Sequence, residues 1–473
     1  MKVPQHIFRK YDIRGLYPED INKDNAYLIG LAIGSIFKAR GYASCALGWD
    51  NRDSSEALRD SVSFGLSDMG INVKQLGIVP TPLVYFMTCE DDVDCGVQIT
   101  ASHNPKQFNG VKSVHNDAYK FAPEETQEIY KRVLEFKEQG ISLEDRFEDA
   151  SATASGEISD FSDAVSRYVS YFVNHFEFDR PLKVVLGCGH GSCSEIAPLI
   201  FESLGCEVIS EDCFLDSDFP NGMANPEDPA FMERLSSLVT KHDADLGIGF
   251  DSDGDRVGFI DEKGRPVPMA EVLALFTQEV MEVYPGEDVI YDVKFSPLVG
   301  DVIESLGGNP IQVATGHPNI DPRIKGGAAL GAEFSAHIYF GHVYRNHDDG
   351  IYAAARLLKV LDARSKPLSS LVGFLPERSS SPEYKIPCPE EDKWRVIDSL
   401  VDTVKKDFSD VLTLDGVKAR LTKGAWFLIR ASNTSPYLSV RMEGSSPEEL
   451  EMVKSNVLQI LRKHPVLDLT SLV

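Results

Sequence analysis

Three stretches of the chain repeat one order of elements: an apolar strand leads through a polar loop into a helix that ends at glycine before another strand. The predicted helices and the glycines after them are residues 56–69 with Gly70, 194–204 with Gly205, and 297–306 with Gly307. Glycine adopts the left-handed conformation that ends a helix without steric cost. Strand–helix–strand units of this kind favour parallel sheets with loops at the carboxyl ends of the strands. The repeat therefore predicts three similar α/β domains.

The last part of the chain follows a different pattern. Residues 425–429 and 437–442 are mostly apolar and are predicted to form strands on either side of a polar loop. Ser446, Pro447 and Glu449 then occupy the N-cap, first and third positions of a predicted helix. This arrangement predicts a fourth domain, of the α+β class. The predicted domains are residues 1–155, 156–262 and 263–374 for the α/β domains and residues 380–473 for the α+β domain.

The charge of the chain excludes two classes of partner. Its 473 residues include 47 Lys and Arg against 73 Asp and Glu, and 47 − 73 gives a net charge of −26. General binding to nucleic acid or to an anionic membrane needs a broad positive surface, so we expect neither partner. The sequence has no run of about eighteen apolar residues and no apolar signal segment near Met1. Its eight cysteines form no CxxC pair, which predicts reduced thiols and a cytoplasmic location.

A serine-containing loop follows the predicted strand at residues 96–99. Ser102 lies in it between small and turn-forming residues, in the order Thr-Ala-Ser-His-Asn-Pro. An exposed hydroxyl beside backbone N–H groups can hold a phosphoryl group, either bound or covalently attached. Lys112 is close enough in sequence to supply a counter-charge. The alternative is an ordinary Asn-Pro turn with a capping serine.

Three aspartates at alternate positions follow a later apolar strand, residues 246–250. An extended segment would place the carboxylates of Asp251, Asp253 and Asp255 on one side, and such hard oxygen ligands suit Mg²⁺. Arg256 could contact a phosphate bound to that ion. An EF-hand is disfavoured because Arg256 stands where that loop requires glycine. A phosphatase of the haloacid-dehalogenase type, with Asp251 as nucleophile, remains open, as does a solvated turn.

Two further loops carry polar groups that suit a small anionic or hydroxylated ligand. Glu333, Ser335 and His337 alternate with apolar residues, so on a strand they would share one face able to bind a vicinal diol. Residues 430–436 join the two tail strands and combine a guanidinium with hydroxyl, amide and backbone N–H groups, which favours phosphate binding. An amphipathic surface strand and a solvated hairpin loop are the alternatives.

Together and in this order, the loops resemble those of the α-D-phosphohexomutase superfamily, and most closely its phosphomannomutase/phosphoglucomutase branch. The resemblance runs essentially end to end. It includes residues 8–15, 100–105, 251–256, 333–337, 348–352 and 430–436. It implies three similar mixed α/β domains plus a C-terminal α+β domain around a central cleft, in a monomer or weak homo-oligomer.

The resemblance also implies an activity. It is that of a Mg²⁺-dependent phosphohexomutase, which interconverts the 1- and 6-phosphates of mannose and glucose through a phosphoserine enzyme and a hexose 1,6-bisphosphate intermediate. The metal ligands implied are Ser102, Asp251, Asp253 and Asp255. The residues implied in catalysis are Ser102, which would carry the phosphoryl group, with His103, Lys112, Arg14 and His337. The residues implied in binding the phosphosugar are Tyr11, Arg256, Lys294, His317, Glu333, Ser335, Arg430, Ser432, Asn433 and Thr434.

Two loops depart from the family pattern. The common Gly-Glu-Met-Ser-Gly-His loop is Ala-Glu-Phe-Ser-Ala-His at residues 332–337. Residues 318–322 stand where family members usually carry an apolar residue and a lysine. The preferred sugar therefore stays open, and a phosphoglucosamine mutase is the nearest alternative. A haloacid-dehalogenase-type phosphatase and a non-catalytic phosphosugar sensor are the alternatives from other classes.

Overall fold

The computed structural model of the chain describes residues 3–10, 12–148, 156–432 and 436–472. The chain divides into two units. Unit 1 comprises Met1–Met269, Asp321–Gly331 and Ser335–Val372, and unit 2 comprises Ala270–Ile320, Ala332–Phe334 and Gly373–Val473. The four domain ranges expected from the sequence stay a prediction.

The first α/β segment lies in unit 1 and forms a six-stranded mixed sheet. Its elements are β1 Ile13–Leu16, α1 Lys23–Ala39, β2 Ser44–Trp49, α2 Ser55–Asp68, β3 Asn72–Ile78, α3 Thr81–Met87, β4 Cys95–Ile99, β5 Phe108–His115, α4 Pro123–Glu138, α5 Leu143–Glu148 and β6 Ile158–Asp160. The strand order is β1-β5-β4-β2-β3-β6. Strand β2 is parallel to β3 and β4, whereas β5 is antiparallel to β4 and β1. Gly70, with φ +88°, follows the helix of the first predicted repeat as expected.

The second α/β segment, also in unit 1, forms a five-stranded sheet. Its elements are α6 Ala164–His175, β7 Lys183–Gly187, α7 Ile196–Ser203, β8 Glu207–Glu211, α8 Pro229–His242, β9 Leu246–Phe250, β10 Val257–Ile260 and β11 Pro266–Val267. The strand order is β11-β10-β9-β7-β8, with β7 parallel to β8 and β9. Strands β9 and β10 form an antiparallel hairpin. The three aspartates among the predicted metal ligands therefore lie in the turn of a hairpin.

The third segment contains the last predicted repeat. Its elements are α9 Met269–Met281, β12 Asp288–Asp292, α10 Leu298–Ser305, β13 Asn309–Val313, α11 Asp321–Lys325, β14 Leu330–Ala332, β15 Ile338–Phe340 and α12 Gly350–Arg364. Strands β12 and β13, both in unit 2, are parallel and are joined through α10. Gly307, with φ +87°, follows that helix as predicted.

The strand predicted across residues 333–337 is wrong. Strand β14 ends at Ala332 and β15 begins at Ile338, and the residues between them form a turn. Ala336 has φ +78°, a left-handed conformation that an extended strand does not contain. Glu333, Ser335 and His337 therefore do not share the face of a strand.

The C-terminal segment, in unit 2, is an antiparallel sheet with two long helices. Its elements are β16 Ser379–Ser380, β17 Tyr384–Pro387, α13 Glu390–Asp407, β18 Asp410–Leu412, β19 Val417–Arg420, β20 Trp426–Ala431, β21 Tyr437–Gly444 and α14 Pro447–Leu461. The order is β16-β21-β20-β19-β18, and β17 also pairs with β21. Ser446 caps α14 as predicted, because its Oγ accepts the Glu449 N–H at 3.3 Å. The expected fold class, three α/β segments followed by an α+β segment, is confirmed.

Apolar side chains from helices and sheets form the cores on which the loops are built. In the first segment, Ile29 and Ile33 of α1 belong to the same buried cluster as Leu47 of β2 and Val97 of β4. In the last segment, Leu400 of α13 and Val457 of α14 lie in one buried cluster with Phe427 of β20. Each such side chain contributes roughly 1.5–3 kcal/mol to stability by leaving water. The loops between these elements are thereby held on rigid supports.

Two expectations about the whole chain can be compared with the structure. No helix among the described residues is long and apolar enough to cross a membrane. All eight cysteines are free thiols, and six of them are buried, as predicted for reduced cysteines.

Candidate active site

Adjacent strands of the first sheet bring three predicted site residues together in unit 1. Arg14 of β1 pairs with Gly110 of β5, and Lys112 of β5 pairs with Gln98 of β4. Ser102 follows β4 by three residues, so it lies at the carboxyl end of the strand next to β5. Residues that are up to 98 positions apart in the chain thus become neighbours through strand register.

Ser102 lies at the centre of a short hydrogen-bond network. Its hydroxyl donates to Asp251 Oδ2 at 3.0 Å, and its Oγ is 3.1 Å from His103 Nδ1. Its backbone N–H donates to Thr100 Oγ1 at 2.9 Å. Ser102 is only 3% exposed, so the hydroxyl predicted to be exposed is buried beneath these partners. The loop therefore aims the seryl oxygen at the aspartates of the β9–β10 hairpin.

The carboxylates of Asp251, Asp253 and Asp255 converge, and one oxygen from each lies within 4.8 Å of the others. They converge because residues 251–256 form a turn closed by a hydrogen bond from the Gly254 N–H to the Asp251 carbonyl, 3.1 Å long. The extended segment expected from the alternating aspartates is therefore wrong, although the grouping of the carboxylates is as expected. All three side chains are buried.

The aspartate cluster fits a hard divalent cation such as Mg²⁺. Asp253 Oδ1 and Asp255 Oδ1 are buried and accept no hydrogen bond from the described residues. Burial, together with the charges of Asp255 and Asp253, raises the pKa of Asp251 well above its usual range. A cation bound by carboxylate oxygens removes both costs, since it satisfies the buried oxygens and offsets their repulsion. The three residues thus form an acidic metal-binding site.

Lys112 offsets part of this negative charge. Its Nζ donates to Asp253 Oδ2 at 2.7 Å and to Asp255 Oδ2 at 2.8 Å. Burial opposes the charged ammonium, but the two carboxylates raise the pKa of Lys112 well above its usual range. The same ammonium outweighs burial at Asp253 and lowers the pKa of that carboxyl. Lys112 therefore stays charged beside the aspartate cluster.

A chain of charged groups extends from the hairpin towards α12. Arg256 Nε donates to His337 Nε2 at 3.0 Å, so the ring carries its proton on Nδ1. That nitrogen lies 2.7 Å from Asp348 Oδ2, and Lys120 Nζ donates to Asp348 Oδ1 at 2.6 Å. Although burial opposes it, Lys120 holds the pKa of Asp348 well below its usual range. The imidazole of His337 is thus fixed on both sides.

His103 and Arg14 complete the group around Ser102. Burial, followed by the charges of Arg256 and Arg14, lowers the pKa of His103 well below its usual range, so the ring is neutral at pH 7. Arg14 Nη1 donates to Asn104 Oδ1 at 2.9 Å, and its Nη2 is paired with Asp12. A neutral imidazole beside the seryl oxygen is able to exchange a proton with it.

Unit 2 joins two of the predicted binding segments through Asp415. Arg430 Nε donates to Asp415 Oδ2 at 2.7 Å, and the Thr315 N–H donates to the same oxygen at 3.3 Å. Ser432 follows on the same strand end, and its carbonyl accepts a 2.8 Å hydrogen bond from the buried Lys393. The strand end that carries Arg430 and the segment just before the turn at His317 therefore both donate hydrogen bonds to the Asp415 carboxylate.

A second group in unit 2 surrounds Lys294. Its Nζ is 2.8 Å from Glu383 Oε2, and its backbone N–H donates to Asp292 Oδ1 at 2.8 Å. Asp292 also accepts the Phe334 N–H at 3.2 Å, which fixes the turn that carries Glu333. Burial raises the pKa of Asp292 to about 6. Asp292 therefore holds the backbone of Lys294 and the backbone next to Glu333 at the same time.

The predicted site residues fall into three sets. Unit 1 brings together Ser102, His103, Lys112, Arg14, Asp251, Asp253, Asp255, Arg256 and His337, and Ser335 lies two residues before His337. Unit 2 contains Lys294, His317, Glu333, Arg430 and Ser432. Tyr11, Asn433 and Thr434 lie outside the described residues.

Sequence reasoning did not single out several residues that contact these sets, and three of them lie around Asp253 and His337. Thr81 donates to Asp253 Oδ2 through its Oγ1 at 2.7 Å, and Lys120 and Asp348 hold His337 as described. Asp348 stands in the Asp-Asp-Gly motif at the start of α12, within residues 348–352 that carry the family resemblance, but no site role was predicted for it. Thr81 and Lys120 lack such a signal because only the tertiary fold brings them to their partners.

Four consecutive parts of the chain match the domains of one protein family. Residues 5–140, 166–264 and 269–378 match the alpha/beta/alpha domains I, II and III of phosphoglucomutase/phosphomannomutase, respectively. Residues 383–460 match the C-terminal domain of the same family. The matched ranges follow the order of the elements described above and cover most of the chain.

Individual relatives are similar over nearly their whole length. A phosphomannomutase/phosphoglucomutase of Pseudomonas aeruginosa is 37% identical over 454 residues, which cover 96% of this chain and 95% of the relative. A phosphoglucomutase of Neisseria meningitidis is 34% identical over 468 residues, with 98% of each chain covered. The crystal structure of a phosphoglucomutase/phosphomannomutase family protein from Burkholderia thailandensis superposes with a TM-score of 0.88 at 30% identity, covering 98% of this chain and 99% of that one. The chain belongs to the phosphoglucomutase/phosphomannomutase family.

Proposed function

We propose that the protein is a Mg²⁺-dependent phosphohexomutase that interconverts the 1- and 6-phosphates of mannose and glucose. The observation that carries this proposal is the contact between Ser102 Oγ and Asp251 Oδ2, 3.0 Å long, within the convergent aspartates. A serine at a carboxylate metal site is suited to hold a phosphoryl group and to transfer it. Membership of the family along the whole chain supports the same activity.

In the proposed reaction, a hydroxyl oxygen of the sugar phosphate attacks the phosphorus of phosphorylated Ser102. The bond from phosphorus to Ser102 Oγ breaks and the new bond to the sugar oxygen forms. The sugar hydroxyl gives its proton to a nearby base, and the departing seryl oxygen takes up a proton, so that Ser102 is left as a hydroxyl. The product is a hexose 1,6-bisphosphate, which returns its other phosphoryl group to Ser102 in the reverse of the same step. When bound to Asp251, Asp253 and Asp255, Mg²⁺ supplies positive charge opposite the phosphoryl oxygens.

The protein's own groups provide the other requirements of phosphoryl transfer. Lys112, held beside the hairpin by Asp253 and Asp255, adds a second fixed positive charge. His103 is neutral, and its Nδ1 is 3.1 Å from Ser102 Oγ, so it is suited to exchange the seryl proton. His337 and Arg14 are the further candidates for orienting or moving a proton. Fixed charges of this kind act without reorganising during the reaction.

We infer the binding roles of the remaining residues from their chemistry and from the family pattern. Arg430 and Ser432, with Asn433 and Thr434, would bind the phosphate that does not react, since a guanidinium pairs well with phosphate oxygens. The residues proposed for the sugar and its second phosphate are Tyr11, Arg256, Lys294, His317, Glu333 and Ser335. The free thiols favour a reducing compartment, which supports a cytoplasmic location. From the family pattern we also propose that the protein is a monomer or a weak homo-oligomer.

The nature of the phosphoenzyme tests the proposal. After incubation with a labelled hexose 1,6-bisphosphate and Mg²⁺, we expect a label that survives acid and is released by alkali, as phosphoserine is. Ser102→Ala is expected to carry no label and to lose mutase activity. A label that hydroxylamine releases and that persists in Ser102→Ala would instead support a phosphatase with Asp251 as nucleophile.

The preferred sugar requires a separate measurement. We expect comparable kcat/KM values for the 1-phosphates of mannose and glucose and a much lower value for glucosamine 1-phosphate. The unmodified protein with a trace of glucose 1,6-bisphosphate is the reference for each substrate. A kcat/KM that is highest for glucosamine 1-phosphate would identify a phosphoglucosamine mutase.

A further inference from the structure

The backbone of Ser102 has a conformation that needs external support. Its φ is +52°, in the left-handed region that residues with a Cβ rarely adopt. Such a conformation persists only where neighbouring groups hold it. The Thr100 hydroxyl holds the N–H side of Ser102 at 2.9 Å. The carbonyl side requires another partner.

That partner is Arg52, whose side chain is fully buried. Its Nη2 donates to the Ser102 carbonyl at 2.7 Å. The remaining hydrogen bonds to the same loop are Nη2 to the Asn104 carbonyl at 2.7 Å, Nη1 to the Pro105 carbonyl at 2.7 Å and Nη1 to the Phe108 carbonyl at 3.0 Å. Four donors of one guanidinium therefore hold the backbone of the loop that carries Ser102.

The fifth donor fixes Arg52 to the sheet. Its Nε donates to Asp50 Oδ2 at 2.9 Å, and Asp50 is itself 4% exposed. The Asp50 N–H donates to the Ile99 carbonyl at 2.9 Å, which joins the ends of β2 and β4. Asp50 Oδ1 also accepts the Ser55 hydroxyl at the start of α2. The guanidinium is thus a rigid link between the sheet and residues 102–108.

We propose that Arg52 is a positioning residue that sets the direction of Ser102 Oγ for phosphoryl transfer, an inference that rests on the proposed mutase function. Its planar group has five N–H donors, and each has an acceptor here. A lysine at this position would keep the positive charge, but its single nitrogen cannot reach four carbonyls spread along the loop. Because the seryl oxygen must lie in line with the reacting phosphorus, a loop displaced by about 1 Å costs on the order of 100-fold in rate.

The test compares two variants of the full-length protein with a matched control. Arg52→Lys keeps the charge and removes the fork of donors. Asp50→Asn/Arg52→Met removes the pair together, so that no buried carboxylate is left without its partner. The control is Asp68→Asn/Arg146→Met, which removes another ion pair of the first segment, 2.8 Å long, between α2 and α5. Each protein is assayed for kcat, KM, labelling rate at Ser102 and thermal midpoint.

We expect both Arg52 variants to lose about 100-fold in kcat and in labelling rate while KM stays near the wild-type value. The control should keep the wild-type kcat even where its thermal midpoint falls. Wild-type kcat in Arg52→Lys, or losses in the double variant no larger than those of the control, would overturn the inference. If the double variant does not fold, Arg52→Lys decides alone. A wild-type protein that acquires no label at Ser102 contradicts the mutase function itself, which is a distinguishable outcome.

Discussion

Among the single residues of the site, Asp251, Asp253 and Asp255 repel one another because their buried carboxylates lie close together. Three aspartates share a buried turn, whereas Lys112 is the ammonium that pairs with two of them. The raised pKa of Asp251 reflects the burial and the repulsion that remain. A bound divalent cation relieves this repulsion. It also makes the aspartate turn attractive to a phosphate, which the bare carboxylates would repel.

Asp253→Asn tests how this charge is used. The variant removes one formal charge while it keeps nearly the same volume. We expect kcat to fall by about 100-fold or more, with KM near the wild-type value, because metal-held charge matters most in the transition state. Steady-state kinetics at saturating Mg²⁺ measure both constants.

The control for that variant is Asp261→Asn. Asp261 is another buried aspartate, directly after β10, and it pairs with Arg265 instead of joining the metal site. Its substitution should leave kcat unchanged. If Asp253→Asn raised KM by the same factor by which it lowered kcat, this would contradict a role specific to the transition state.

The residue types of this site were predictable from short sequence patterns, but their partners were not. Ser102 and the alternating aspartates each stand in a loop after an apolar strand, which is a local signal. Arg52 and Thr81 give no such signal. Their contacts are with Ser102 and Asp253, which lie 50 and 172 positions further along the chain, respectively. A side chain acquires such partners only when strands from separate parts of the chain are aligned.

At the scale of elements, loops that follow parallel strands support one another. The loop after β7 packs on the metal-binding turn, where Ser192 N–H donates to the Ser252 carbonyl at 2.8 Å. Gly191 lies so close to that turn that an added Cβ would stand 2.2 Å from the Ser252 oxygen. A backbone contact of this kind cannot give way as a flexible side chain would.

Gly191→Ala is therefore expected to displace the turn and weaken Mg²⁺ binding by about 10-fold, as losses of supporting contacts around metal sites do. Calorimetric titration of the substrate-free protein with Mg²⁺ measures this effect. Gly205→Ala serves as the control. Its φ of +82° disfavours a residue with a Cβ, but no neighbouring atom lies within 4 Å of the added Cβ. The control should lose about 1 kcal/mol of stability and keep its Mg²⁺ affinity. Unchanged affinity in Gly191→Ala would show that the turn does not depend on this loop.

The strand expected at residues 333–337 shows how an element can be misjudged. Alternation of polar and apolar residues over four to eight positions predicts a strand, yet a short turn can show the same alternation. Here the Phe334 N–H is held by Asp292, and Ala336 takes a left-handed conformation. The residue types were therefore predictable, whereas the backbone that presents them depended on a buried partner from β12.

For the whole molecule, the net charge is −26, and ion pairs inside both units stabilise individual carboxylates despite this excess of negative charge. In unit 2, Glu383 lies 2.8 Å from Lys294 and is about one-quarter exposed. Burial raises its pKa, but Lys294 outweighs that effect and lowers the pKa of Glu383 from 4.5 to about 2. A carboxyl with a lowered pKa stabilises the fold above pH 4.5, and this stabilisation is lost as the pH falls towards 2.

Glu383→Gln is expected to lower the free energy of unfolding of unit 2 by at most about 3 kcal/mol at pH 7 and by about 1 kcal/mol less at pH 4. Urea unfolding can be followed by fluorescence in a Trp49→Phe background, since Trp394 and Trp426 both lie in unit 2. Asp392→Asn, which breaks a pair with the largely exposed Arg395, should have little effect at either pH. A destabilisation by Glu383→Gln that does not shrink at pH 4 would contradict the role of its charge.

Local sequence patterns were enough to predict the three α/β repeats, the α+β tail and the residue types of the candidate site. These follow from hydrophobic periodicity, from glycine at helix ends and from short polar loops, all of which act over a few neighbouring residues. The tertiary structure is needed to show that Ser102 meets Asp251, 149 residues away, and that Arg52 holds the loop that carries Ser102. Contacts between such distant residues depend on strand register and burial, which no local pattern specifies.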